Sequence, residues 1–238
     1  MNKKTYKVIL ILLLVLFIGF ICVIGYFLYG DFQEYSEIDK TNNQVIDTVV
    51  NPKDNSIDWD KLLSINKDIV AWINVPDTNI NYPVIQGKSN ESYIHTNIYG
   101  GYSKGGSIFC DSYIQKPFDD LNTIIYGHNL LNGTMFSDLK RFSSLDYFHS
   151  HQFIYILLPN GSQYKYKVVS FHTVKSTDKF VYNPYVYDLS EYKQYVFQNN
   201  VLDTHISDFD ECEPVLTLST CTNTNQNTRF VLHASKVN

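Results

Sequence analysis

QFIYILLPNGSQYKYKVVS, residues 152–170, decides the fold class. Two runs rich in β-branched and aromatic residues, Gln152–Leu158 and Gln163–Ser170, flank Pro159-Asn160-Gly161-Ser162, and Asn-Gly is favoured in tight hairpins because both central positions take φ > 0. The stretch predicts a β-hairpin. Outward from it, short runs of the same kind at Ile80–Gln86, Ser107–Asp111, Thr123–Tyr126, Val215–Thr220 and Arg229–Ala234 are expected as further strands. Met135, Phe136, Leu139 and Phe142 recur at helical spacing, as do Leu189, Tyr192, Tyr195 and Val196, where Asp188 or Ser190 can cap. Trp59, Leu62, Leu63, Ile65, Ile69, Val70 and Ile73 recur at mixed three- and four-residue steps, predicting one helix or two short ones with Asp58 or Ser56 as cap. A mainly β domain with a few helices follows, most simply a closed barrel.

The chain has 238 residues, room for one anchor and one domain. Val8–Leu28 carries no charged side chain and is long enough to cross the ~30 Å hydrocarbon core as a helix. It ends at Gly25-Tyr26-Phe27-Leu28-Tyr29, without the small residues of a signal-peptide cleavage site, so it reads as a retained transmembrane anchor. Lys3, Lys4 and Lys7 precede it and Asp31, Glu34, Glu37 and Asp39 follow, which predicts a cytoplasmic N-terminus and an extracellular remainder. The expected organisation is a cytoplasmic tail at 1–7, an anchor at 8–28, a polar extracellular stalk at 29–56 and a folded domain at 57–238. Setting those three lysines aside leaves 16 basic against 24 acidic residues with no basic cluster, which argues against nucleic acid as a partner.

Cys22 lies in the apolar run, leaving Cys110, Cys212 and Cys221 outside it, an odd number that makes no disulfide framework. Thr217-Leu218-Ser219-Thr220-Cys221 reads as a strand ending on a thiol, followed by the polar loop Thr222–Thr228. Thr123-Ile124-Ile125-Tyr126-Gly127-His128-Asn129 has the same layout, an apolar strand, a glycine and a histidine, so two strand ends can face one cleft. Cysteine attack needs thiolate and a leaving amine needs a proton, for which histidine is the natural partner. Arg229, one of two arginines, opens the next strand and can stabilise a thiolate or an oxyanion. Cys110 and Cys212 have no nearby cation and read as structural or incidental. His149-Ser150-His151 lacks further ligands to complete a metal site, and no acidic calcium loop is recognisable.

These residues resemble the class B sortases. The resemblance rests on Thr217–Cys221 with Arg229 downstream, on Tyr126-Gly127-His128-Asn129, and on Ile80–Gln86, Gly106–Phe109 and Thr134–Phe136 in the same order, from about Trp72 to the C-terminus. It implies an eight-stranded sortase barrel with N-terminal helices and an extra helix before the cysteine strand, for which Asp188–Leu202 is the candidate. It also implies cleavage of a C-terminal sorting signal of secreted proteins at its Thr, through a Cys221 thioester, and transfer to an amine of peptidoglycan precursor, without cofactor or metal. Under it Cys221 is the nucleophile, His128 the general acid/base and Arg229 the stabiliser of the carbonyl or oxyanion. The substrate groove maps onto Asn90, Ile94, Tyr126, Ser176, Phe180, Val181 and Ser219. Phe180 stands where relatives often carry tyrosine, and the loop between Cys221 and Arg229 is shorter than in some. Alternatives are a pilin-polymerising enzyme whose acceptor is a subunit lysine, a cysteine peptidase that hydrolyses the thioester, and a membrane-tethered binding module without turnover.

Overall fold

The structure, a computed structural model, describes residues 2–183, 188–202, 213–224 and 227–237. The chain divides into two compact units, Met1–Thr41 and Asn42–Asn238. A single helix, α1 (Lys3–Val49), runs from the first into the second. Its N-terminal part is long and apolar enough to cross a membrane and is exposed throughout. The segment 29–56, expected as a polar stalk, is helical to Val49, and Val45 and Val49 are buried in a cluster with Leu62, Trp72 and Ile85. These two valines lie one helical turn apart, so they share the face that packs on the domain.

Eight strands close a barrel: β1 (Ile69–Asn74), β2 (Asn81–Ile85), β3 (Ile108–Cys110), β4 (Asn122–Tyr126), β5 (Phe153–Leu157), β6 (Gln163–Lys175), β7 (Val215–Cys221) and β8 (Thr228–Val237). Their order around the barrel is β1-β2-β3-β4-β7-β8-β6-β5. The closed, mainly β architecture expected from the sequence is present. Closure leaves no unpaired edge, which suits strands this rich in Val, Ile and Tyr.

The helix expected over Trp59–Ile73 is corrected. Asp58 caps α2 (Trp59–Ile65) by accepting the Lys61 N–H, but Asn66 is extended and ends the helix. Ile69–Asn74 is then β1, with Ala71 and Ile73 fully buried and Trp72 covered by the Val45 and Leu62 cluster. Burial on both faces is what a mixed three- and four-residue spacing conceals.

The hairpin at 152–170 is formed by β5 and β6, with Leu157 opposite Gln163. Its turn differs from the expected two-residue type. Leu158 N–H donates to Ser162 C=O and Gly161 N–H to Leu158 C=O, enclosing a three-residue loop in which only Gly161 is left-handed, at φ +84. Pro159 at the first loop position favours this form, because its ring holds φ negative. The Met135–Phe142 patch is a 3-10 helix, Ser137–Ser143, followed by α3 (Leu145–Ser150). Before the cysteine strand stands α4 (Leu189–Gln198), with the Asp188 carboxylate accepting the Ser190 and Glu191 N–H groups and Tyr192 and Val196 packed on Val215.

Candidate active site

β4 and β7 run parallel, with Tyr126 beside Ser219, and Gly127 N–H extends the ladder to Ser219 C=O at 3.2 Å. Parallel strands leave the sheet at the same end, so His128 after β4 and Cys221 closing β7 emerge side by side. β8 returns antiparallel and puts Arg229 directly opposite Cys221. Cys221, His128 and Arg229 all line one cavity of 440 Å³ at this end of the barrel. Gly127 has no space for a side chain: a Cβ would sit 2.4 Å from Ile108 Cδ1 and 2.8 Å from Phe136 Cγ.

The two loops are tied together by asparagines that sequence reasoning quoted or passed over without a role. Asn129 Nδ2 donates to Cys221 C=O at 2.9 Å, and Asn223 Nδ2 donates to Asn129 C=O at 2.8 Å. Asn129 was visible as the residue after the histidine; Asn223 lies in a polar loop and carried no signal.

His128 is half-buried, and its Nε2 lies 2.8 Å from Ile94 C=O. A carbonyl only accepts, so Nε2 carries the proton and Nδ1 is the nitrogen that accepts one in the neutral ring. His95, the residue after Ile94, stacks on the imidazole face at 5.5 Å between centroids and 19° between planes. Burial holds the His128 pKa below its ordinary value; the Ile94 bond opposes this, and the charges of His95 and Arg229 push it further down. Cys221 is half-buried, whereas Cys110 is fully buried on β3 with its thiol pKa pushed far up by burial. Cys212 lies outside the described residues.

Of the groove residues expected from the sequence, Asn90, Ile94, Tyr126, Ser176 and Ser219 line the cavity. Phe180 and Val181 do not. The Asp178 carboxylate accepts the Phe180 and Val181 N–H groups, at 2.9 and 3.0 Å, and the resulting turn sends Val181 into the core against Val174 and Val231. Phe180 points outward onto Tyr195, with ring centroids 4.8 Å apart. Tyr182 takes the inward position instead: its hydroxyl pairs with Ser219 Oγ at 2.8 Å, and its ring stacks on Tyr126. Burial pushes the Tyr182 phenol pKa up to about 12, so it remains a neutral hydroxyl. Asp111, also unforeseen, is buried in the wall and accepts from Tyr126 OH at 2.8 Å, Asn90 Nδ2 at 3.0 Å and Tyr113 N–H at 2.9 Å.

A thiol, an imidazole with one open nitrogen and a permanent cation thus share one groove of ligand size, the parts needed for acyl transfer through a thioester. Residues 73–237 match the Sortase domain family. Sortase B of Listeria monocytogenes is 36% identical over 67% of this chain and 65% of its own length; Sortase B of Staphylococcus aureus is 31% identical over 68% and 67%. Among solved structures, Clostridium perfringens Sortase B superposes with a TM-score of 0.69 at 29% identity, covering 75% of this chain and 99% of that one. The Staphylococcus aureus sortase B–substrate complex gives 0.69 at 25% identity, covering 87% and 97%. With a family match over most of the chain, Sortase B relatives and the same closed barrel, this chain belongs to the sortase family.

Proposed function

We propose that the chain is a class B sortase that cleaves a C-terminal sorting signal at its Thr and joins the upstream protein to an amine of peptidoglycan precursor. The observation that carries this reading is the convergence of Cys221, His128 and Arg229 on the 440 Å³ cavity. Cys221 Sγ, as thiolate, attacks the Thr carbonyl carbon, and the guanidinium of Arg229 stabilises the oxyanion that forms. As the C–N bond breaks, protonated His128 gives its proton from Nδ1 to the leaving amine, and the acyl group remains on sulfur as a thioester. The acceptor amine then attacks the same carbon, His128 takes its proton, and the thiolate departs as the new amide forms. Atoms balance with one proton shuttled and no cofactor. Asn90, Ile94, Tyr126, Ser176, Ser219 and Tyr182 hold the signal peptide alongside. The apolar part of α1, preceded by Lys3, Lys4 and Lys7, anchors the enzyme with its N-terminus in the cytoplasm and the barrel outside.

The test is mass spectrometry of a panel of sorting-signal peptides incubated with enzyme and either triglycine or diaminopimelate, comparing wild type with Cys221→Ala. The expected result is cleavage at Thr, a covalent adduct on Cys221 and an amine-linked product, all absent from the variant. Hydrolysis alone with amine present would point to a peptidase, and cleavage that survives Cys221→Ala would overturn the assignment.

A further inference from the structure

A second cavity, of 530 Å³, lies on the outer face of the barrel, away from the cysteine. One wall is sheet. Asn81, Asn74 and Tyr155 are register partners across β2, β1 and β5, and so form one polar row. The neighbouring row is Trp72, Leu157 and Gln163. The facing wall is the loop between α1 and α2, which contributes Val50, Ile57 and the carboxylate of Asp54.

The polar atoms of this crevice are only partly spent within the protein. Asn81 Oδ1 accepts from Trp72 Nε1 at 2.7 Å and from Asn74 Nδ2 at 3.3 Å, which fills that oxygen and leaves the Asn81 N–H pair and Asn74 Oδ1 for a ligand. Among the described residues, no hydrogen bond involves the Tyr155 hydroxyl or the Gln163 amide. Among the described residues no Lys, Arg or His lines the cavity and one Asp does, so phosphates and carboxylates are disfavoured. Side-chain amides offering donor and acceptor together suit hydroxyl groups, while the Tyr155 ring, Leu157, Val50 and Ile57 offer apolar surface for C–H faces and for a methyl group.

We propose that this crevice is a binding site for neutral N-acetylated sugars, taking an N-acetylhexosamine unit of a glycan. For an enzyme whose acceptor amine is borne on a glycan-linked peptide, such a site holds the catalyst beside its acceptor; that consequence, though not the binding itself, rests on the proposed function.

The test uses the full chain in lipid nanodiscs, which avoids sugar-headed detergents. Tri-N-acetylchitotriose is titrated by calorimetry, with maltotriose as a neutral sugar lacking acetamido groups. Binding with a Kd of about 1 mM or tighter is expected, weakened roughly tenfold or more in Tyr155→Ala and in Gln163→Ala. Gln163 is exposed, so its truncation leaves the fold intact and keeps the test decisive should Tyr155→Ala destabilise the chain. Sorting-peptide cleavage, measured without glycan, stays within about twofold of wild type in both variants, since neither residue touches the cysteine site. Absence of saturation up to about 10 mM chitotriose, or binding undiminished in Gln163→Ala and Tyr155→Ala alike, overturns the site. Equal affinity for maltotriose overturns the acetamido selectivity. Because binding is read without peptide and cleavage without glycan, failure of this site and failure of the transpeptidase reading are separate results.

Discussion

Gly106→Ala tests how His128 is held. Gly106 lies in the loop before β3 at φ +55, and a Cβ there would stand 2.2 Å from Ile94 O and 2.6 Å from Tyr93 O. Ile94 O is the oxygen that accepts from His128 Nε2 at 2.8 Å. Alanine in the left-handed region costs about 1–2 kcal/mol. Restoring ordinary van der Waals separation moves the carbonyl by about 1 Å, and loss of the bond leaves the half-buried imidazole N–H without its acceptor at about 1–3 kcal/mol. Together these give about 2–5 kcal/mol of lost stability, a fall in Tm of roughly 5–15 °C for a domain of this size. A displacement of this order also costs roughly 100-fold in kcat, because the imidazole no longer lies where the proton must be delivered. Thermal unfolding and single-turnover acylation of Cys221 by a sorting peptide measure the two effects separately. A variant that melts lower yet acylates at the wild-type rate would refute the claim that Ile94 positions His128.

His95→Phe keeps an aromatic face against His128 while removing the like charge at 5.5 Å, so the His128 limb of the pH–rate profile should move to higher pH; an unmoved limb would show that His95 only packs. Asn129→Ala removes the 2.9 Å bond to Cys221 C=O, and acylation should slow about tenfold or more with little change in KM, read from steady-state kinetics on one peptide. The fold should also weaken in acid. His172 and His233 stack at 5.0 Å in the core, and burial holds the His172 pKa down to about 4 and that of His233 well below its ordinary value of 6.5. The unfolded chain then binds more protons than the native one, so this stability is fully present above about pH 6.5 and is lost as pH falls toward 4. His172 alone accounts for about 3 kcal/mol of it. Denaturant midpoints at pH 7 and pH 4.5 measure the loss, and a midpoint unchanged on acidification would contradict the assignment.

The parts of the fold that were legible in the sequence are those fixed by local chemistry. Asn160-Gly161 between β-branched runs announces a hairpin wherever it occurs, and Asp188 announces a helix start. β1 was not legible, because its register partners on β2 and β5 and its cover from Val45 and Leu62 come from remote segments, and burial on both sides erases the period-two signal. Val45 and Val49 were hidden for a related reason: two valines among polar neighbours look like a tether until a surface is supplied for them to cover. The grouping of Cys221, His128 and Arg229 was legible because each sits at a strand boundary, where pairing alone determines proximity. The groove was less so. Phe180, Val181 and Tyr182 follow one another in the chain, and which of them faces the cavity depends on the Asp178 turn that rotates the backbone beneath them.

Tyr182 shows what that rotation accomplishes. Its ring stacks on Tyr126, two residues before His128, and its hydroxyl meets Ser219, two residues before Cys221. Tyr126 and Ser219 are themselves register partners in the parallel pairing of β4 and β7. One side chain from the segment after β6 therefore spans the pair of strands that lead to His128 and Cys221. A phenylalanine at position 180 removes a hydroxyl only from the surface, since the hydroxyl that reaches the groove comes from two residues further on. Any movement of the Ser176–Tyr182 segment must break the 2.8 Å bond to Ser219 or carry that strand end with it. The segment is thus tied to both strands that lead to Cys221 and His128, by residues too far apart in the chain for spacing to disclose.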